Sequence, residues 1–234
     1  KVYNNRFDVL RSAFGRFDKV IAESKTKLAK GLPEYKKYDN FCRDNAEWLD
    51  DYSLFMAVKA YFDNKSWGEW DDDIRFRTPE GMAKYTELLK EDIDFWKFVQ
   101  YEFDKQWMAL KQYANDKHID IIGDIPIYMG YDSADVWANS GQFLLDENLT
   151  PAKVAGVPPD AFSDAGQKWG NPLYDWDKME NDGFTWWKKR MQHSARIYDV
   201  IRIDHFIGIV KYYTIPADMP DARQGTYMQG PGQK

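Results

Sequence analysis

Two short β-branched runs constrain this chain more than any other feature. Ile119-Asp120-Ile121-Ile122-Gly123-Asp124-Ile125 is bounded by turn residues and suits a buried strand. Asp199-Val200-Ile201-Arg202-Ile203-Asp204-His205 repeats that character about eighty residues later. Directly before the second run, Gly183 to Tyr198 reads as a helix with Phe184, Trp187, Met191 and Ile197 turned inward. Strand, crossover helix and strand make the βαβ unit of a parallel sheet with a right-handed connection, so an α/β fold is expected. The stretch from about Pro126 to Asn181 is too long for an ordinary connection. Tyr128, Trp137, Phe143, Phe162, Trp169, Tyr174 and Trp176 give it too many large apolar groups for disorder, and it reads as a functional insertion.

The first half reads as helix. From Arg6 to about Lys30, Phe7, Leu10, Phe14, Val20 and Ile21 recur at near-helical spacing, and Gly31-Leu32-Pro33 stops the pattern. A second helical stretch runs from Glu34 to Phe62 with a break near Asn45, its stripe being Trp48, Leu49, Tyr52, Phe55, Met56 and Phe62. Asp63 to Arg77 mixes charge and tryptophan without a period and reads as a surface connection. Thr78-Pro79 is a helix start, an N-cap hydroxyl followed by proline. The segment it opens carries Leu88, Phe95, Val99, Phe103, Trp107 and Leu110 and ends near Asn115. These stripes are assigned to core.

Charge and cysteine content exclude several function classes. Lys and Arg number 32 against 38 Asp and Glu, a net charge of −6 with no basic block, which argues against nucleic acid or an anionic membrane as the main partner. No run approaches the roughly 20 apolar residues of a spanning helix, and Lys1 opens the chain without a secretory signal pattern. Cys42 is the only cysteine, which excludes a disulfide framework and a multi-cysteine metal site and fits a reducing, cytoplasmic setting. No zinc-ligand histidine spacing, glycine-rich phosphate cradle or serine elbow is present, so neither metal nor cofactor is expected. The aromatic load, 17% of the chain, suits the stacking of flat sugar faces as well as a core.

Ligands of parallel α/β sheets bind at the carboxyl ends of the strands. Asp124 and Asp204 fall there. Alternation along a strand puts Arg202 and Asp204 on one face, and an arginine so placed favours the ionised carboxylate that nucleophilic attack requires. A structural ion pair would satisfy the same spacing. His205 follows, where a neutral imidazole can donate to a bound hydroxyl, whereas His118 and His193 are read as structural.

Five motifs then stand in order: Gly123-Asp124-Ile125-Pro126-Ile127-Tyr128, Asp132-Ser133-Ala134-Asp135-Val136-Trp137, Ala155-Gly156-Val157-Pro158-Pro159-Asp160, Gly166-Gln167-Lys168-Trp169-Gly170-Asn171-Pro172-Leu173-Tyr174 and Arg202-Ile203-Asp204-His205-Phe206. Together with Trp48-Leu49-Asp50-Asp51-Tyr52 upstream, they make the chain similar to the 4-α-glucanotransferases of glycoside hydrolase family 77 over essentially its whole length. The resemblance implies a (β/α)8 TIM-type barrel with a helical inserted subdomain. It also implies transfer of α-1,4-glucan segments between malto-oligosaccharides with retention of configuration. By it, Asp204 is the nucleophile and Arg202 holds it ionised, while Asp124 and His205 contact the sugar beside the scissile bond. Asp160, Gln167 and Trp169 lie in the loop over the cleft, on the acceptor side. Many members have Arg where this chain has Ile207, a local departure.

Retention needs two carboxyl groups about 5–5.5 Å apart, and transfer needs an acceptor site that excludes water. Trp169, Tyr174 and Trp176 are expected to wall that site, with Pro158-Pro159 stiffening the turn; the competing assignment for these rings is a small core of the insertion's own. The family's acid/base glutamate lies on the strand after Asp204, and such enzymes are about twice this length. The chain is therefore expected to be an internal piece, truncated at both ends and inactive alone. Residues 1–117 would form a helical region with the inserted subdomain, and 118–234 a partial barrel of two strands with the cleft-loop insertion 126–181. Its uncovered strand edges allow self-association. The alternatives are an α-glucan hydrolase of the amylase group and a non-catalytic glycan-binding protein.

Overall fold

The computed structural model describes residues 2–24 and 33–232, so the expected helix end near Lys30 and the Gly31-Leu32 stop lie outside the described residues. Two compact units are present, Lys1–Lys65 with Trp70–Ala109, and Ser66–Glu69 with Leu110–Lys234.

The first unit is helical: α1 (Val2–Ser24), α2 (Pro33–Asp44), α3 (Ala46–Tyr61), α4 (Asp72–Arg75), α5 (Pro79–Leu88) and α6 (Lys90–Asn115), the last running on into the second unit. Asn45 makes the break between α2 and α3. Its amide donates to the Phe41 carbonyl at 2.8 Å and accepts from the Trp48 indole at 3.1 Å. Aromatic edges fill the core, Phe14 meeting Phe95 at 5.7 Å and Phe17 meeting Tyr38 at 5.1 Å. Thr78 caps α5 by accepting from the Gly81 amide at 3.1 Å, with Pro79 at the first position.

Three expectations need correction here. The helix opened at Thr78 is two helices, because the chain turns at Leu89 and resets the phase of the stripe. Leu88 is therefore exposed, as are Phe103, Leu110 and Val20, while Ile93, Trp96, Phe98 and Tyr101 are buried beside Phe95. The stretch from Asp63 to Arg77 is no surface connection either. Trp70 and Ile74 are buried, and Trp70 stacks on Phe62 with centroids 6.0 Å apart. Trp67, in the second unit, is fully buried against Tyr131, whose carbonyl accepts its indole N–H at 2.6 Å.

The second unit continues with β1 (Ile122–Pro126), α7 (Ala134–Ala138), β2 (Lys153–Val157), β3 (Gln167–Pro172), α8 (Trp176–Asn181), α9 (Thr185–Ile197), β4 (Val200–Asp204), β5 (Lys211–Pro216) and β6 (Thr226–Gln229). β1 and β4 pair in parallel, Ile122 against Val200 through Pro126 against Asp204. This is the βαβ unit, and the fold is α/β. β1 starts three residues later than expected, after His118 takes a left-handed conformation. Both strands are half-buried rather than buried: Gly123 and Ile125 face inward, while Ile122, Asp124, Val200, Arg202 and Asp204 share an exposed face. At the amino ends Asp199 accepts from the Ile121 amide at 2.8 Å and the Asn115 side chain at 2.9 Å and pairs with Lys111, which ties both strands to the end of α6.

The insertion supplies β2 and β3 to an antiparallel sheet of order β3-β2-β5-β6, completed by strands that follow β4. Val154, Tyr213, Ile215 and Ala222 form its core. The bulge between Val154 and Gly156 and the shortness of the elements leave no period to read. Most of the insertion's rings are interior. Tyr174 and Trp176, expected as acceptor walls, are buried, with Tyr128, Phe143 and Trp187 around Tyr174 at centroid distances of 5.3–5.7 Å. Among the described residues no helix is long and apolar enough to cross a membrane.

Candidate active site

The parallel register sets Asp124 beside Arg202 and Pro126 beside Asp204. Arg202 thus stands between two carboxylates. Its Nε donates to Asp124 Oδ1 at 3.0 Å and its Nη2 to Asp204 Oδ1 at 3.2 Å. All three side chains are more than half exposed, so water screens these ion pairs, and each is worth no more than about 1 kcal/mol. Their effect is geometric: one planar guanidinium holds two carboxylates on one face, Asp204 at the last residue of β4 and Asp124 in the middle of β1, which runs on to Pro126 rather than ending at Asp124 as expected.

His205 leaves β4 with a φ of 57°, a strained conformation for a residue with a Cβ. That turn swings its ring edge-on to Trp169, centroids 4.9 Å apart. Burial pushes the imidazole below its ordinary range, against the pull of the Asp204 charge, so the neutral ring dominates at pH 7. Trp169 stands on β3, 37% exposed, and its indole N–H donates to Gln167 Oε1 at 3.0 Å. Gln167 and Trp169 are two residues apart and share a face of the strand. Between them Lys168 points the other way, donating to the carbonyls of Ala217 at 2.7 Å and Met219 at 2.6 Å.

Asp204, His205, Trp169, Asn171, Pro126, Ile127 and Tyr128 line a notch of about 140 Å³. The structure thus brings Asp204, His205 and Trp169 together, joins Asp124 through Arg202, and joins Gln167 through Trp169. Asp160 is placed apart from this lining. Its Oδ1 accepts from the amides of Phe162 and Ser163 at 2.8 and 2.9 Å, so its carboxylate folds a turn that leaves Phe162 96% exposed. Tyr128 and Asn171 also line the notch, beyond the residues that the sequence singles out. Both stand inside the motifs that carry the acids and Trp169, and that membership was the available signal. The Asn171 amide donates to the Met129 carbonyl at 2.9 Å. Burial raises the Tyr128 phenol above its ordinary range, so it stays protonated. Among the described residues no cluster of three His, Cys, Asp or Glu side chains could hold a metal ion.

A family model described as 4-alpha-glucanotransferase matches residues 1–234. The 4-alpha-glucanotransferase of Clostridium butyricum is 47% identical over 234 residues, which are 100% of this chain and 45% of that protein. The chloroplastic/amyloplastic 4-alpha-glucanotransferase of Solanum tuberosum is 41% identical over 219 residues, 92% of this chain and 38% of that one. Of solved structures, amylomaltase from Streptococcus agalactiae in complex with acarbose has a TM-score of 0.88 at 41% identity, covering 98% of this chain and 44% of that chain. Amylomaltase from Corynebacterium glutamicum, at 20% identity and a TM-score of 0.70 over 98% of this chain and 28% of that one, shares the fold. The chain spans less than half the length of the curated relatives it matches. With a match over its whole length, this chain belongs to the 4-alpha-glucanotransferase family.

Proposed function

We propose that the whole protein carrying this chain is a 4-α-glucanotransferase that moves α-1,4-glucan segments between malto-oligosaccharides by a retaining double displacement. The observation that carries this is the placement of Asp204 at the carboxyl end of a parallel strand, lining a notch with His205 and Trp169 and held with Asp124 by one guanidinium. In the first step an Asp204 oxygen attacks the anomeric carbon, the glycosidic C–O bond breaks, and an acid carboxyl protonates the departing 4-hydroxyl. In the second, the acceptor's 4-hydroxyl attacks the anomeric carbon, the bond from that carbon to the Asp204 oxygen breaks and frees the carboxylate, and the hydroxyl proton returns to that same acid group. Neutral His205 donates to a hydroxyl of the bound sugar, and Trp169 offers an exposed ring face for stacking. Asp160, Gln167 and exposed Phe162 belong to the acceptor side. The chemistry requires no metal or cofactor.

The chain spans less than half the length of its relatives, and we assign the second carboxyl to the remainder of the whole protein. We read 118–234 as part of a (β/α)8 barrel whose interior is the exposed face of β1 and β4, with 1–117 as the helical region. The Streptococcus agalactiae structure, an amylomaltase in complex with acarbose, supports a glucan-like substrate for that site. A cytoplasmic setting suits the single thiol.

Product analysis after mixing the whole protein with maltotriose tests this. A ladder of longer oligosaccharides with free glucose is expected. Glucose and maltose alone would mean an α-glucan hydrolase, and unchanged maltotriose a glycan-binding protein.

A further inference from the structure

Arg190 in α9 lies outside the notch, yet its bonds converge on the notch wall. Nη1 donates to the Ile127 carbonyl at 3.0 Å and to the Tyr174 hydroxyl at 3.3 Å, and Nη2 donates to the Pro126 carbonyl. The Tyr174 hydroxyl in turn donates to the Ile127 carbonyl at 2.6 Å. Burial keeps that phenol protonated and therefore able to donate. The guanidinium packs against two rings, its central carbon 4.9 Å from the Trp187 centroid and 5.6 Å from that of Trp186.

These bonds answer a definite structural need. β1 ends at Pro126, where the ladder with β4 stops opposite Asp204, and the carbonyls beyond that point have lost their strand partners. Arg190 and Tyr174 take those of Pro126 and Ile127, and Asn171 takes that of Met129. Pro126, Ile127 and Tyr128 are the notch wall facing Asp204 and His205. A guanidinium suits the task because its fixed fork spans two adjacent carbonyls while its flat face lies on tryptophan; an ammonium has neither property.

We propose that Arg190, seconded by Tyr174, is a positioning residue that fixes the exit of β1 and so holds the wall beside Asp204 in the geometry of glucan transfer. The assignment of the reaction rests on the function proposed above; the clamp itself does not. Two measurements on the whole protein separate them. Amide hydrogen exchange over residues 127–131 is expected to quicken at least fivefold in Arg190→Met, and unchanged protection there would overturn the clamp whatever the reaction is. With maltotriose, kcat is expected to fall at least thirtyfold in folded Arg190→Met, with KM within threefold of the parent and only partial recovery in Arg190→Lys. A kcat within threefold of the parent would overturn the positioning role. Should Arg190→Met fail to fold, Tyr174→Phe decides. That variant keeps the ring and loses both bonds of the hydroxyl, the one to the Ile127 carbonyl and the one from Arg190, so kcat should drop about tenfold at unchanged KM, and a drop below twofold would overturn the proposal. A parent protein that yields no ladder from maltotriose would refute the transferase assignment, and the positioning role with it, while the exchange result would still judge the clamp.

Discussion

Asp204 and Asp199 sit at opposite ends of one strand and do opposite things. Asp204 is exposed, and its bond to Arg202 stabilises the fold by no more than about 1 kcal/mol. Asp204→Asn should therefore leave the thermal midpoint of the whole protein within a degree or two. Its transfer rate should fall by at least about 10³-fold, as loss of a nucleophile does. Near-normal turnover in that variant would remove Asp204 from the mechanism. Asp199 serves the fold. The Ile121 amide, then the Asn115 amide and Lys111, favour its charged form and lower its pKa to about 2. A depressed carboxylate contributes stability that is complete above its unfolded value of about 3.9 and is lost as pH falls toward 2. Between pH 4 and 2 the thermal midpoint should accordingly fall more steeply in the parent than in Asp199→Asn, measured by scanning calorimetry. Parallel curves for the two would deny Asp199 that role.

At the level of elements, β1 is set by close approach. Gly123 lies against the ring of Tyr198, and a Cβ built there would come within 2.0 Å of it. Gly123→Ala must push the ring or the strand aside, at about 1–3 kcal/mol, a fall of several degrees in thermal midpoint. An unchanged midpoint would show that Tyr198 yields freely. Much at this scale was legible in the chain. Period-two alternation in Val200–Asp204 puts Arg202 beside Asp204, and the break at Asn45 and the cap at Thr78 are local chemistry. What was not legible depends on partners distant in sequence. Nothing in the composition separates Tyr174 and Trp176, which are interior, from Trp169, which faces the notch. β5 pairs with β2 across more than fifty residues, and its run Tyr212-Tyr213-Thr214-Ile215 carried a strand signal that no neighbouring motif drew attention to. The turn at Leu89 reset a helical stripe that looks continuous when read in one phase.

On the scale of the whole molecule, one face of β1 and β4 lacks cover among the described residues. Ile122 and Val200, paired in register, are 66% and 48% exposed at the foot of the face that ends in Asp124, Arg202 and Asp204. Apolar side chains at the foot and charged ones at the carboxyl end are what a barrel interior presents along its axis, packed below and reactive above. In the barrel proposed for the whole protein, further strands pair with the two open edges and bury these residues. A separate polypeptide of residues 1–234 leaves both edges and the apolar foot in water, a surface that favours edge pairing and association. Sedimentation velocity should then show it associating over the micromolar range, while the whole protein shows no such trend through this face. Ile122→Lys places a charge on the foot without touching Asp204, and it should shift the separate polypeptide toward the 27.6 kDa monomer. In the whole protein the same substitution buries an unpaired ammonium and should lower the thermal midpoint by several degrees. If the lysine changes neither association in the one nor stability in the other, the face is an ordinary outer surface, and the barrel assignment for β1 and β4 is wrong.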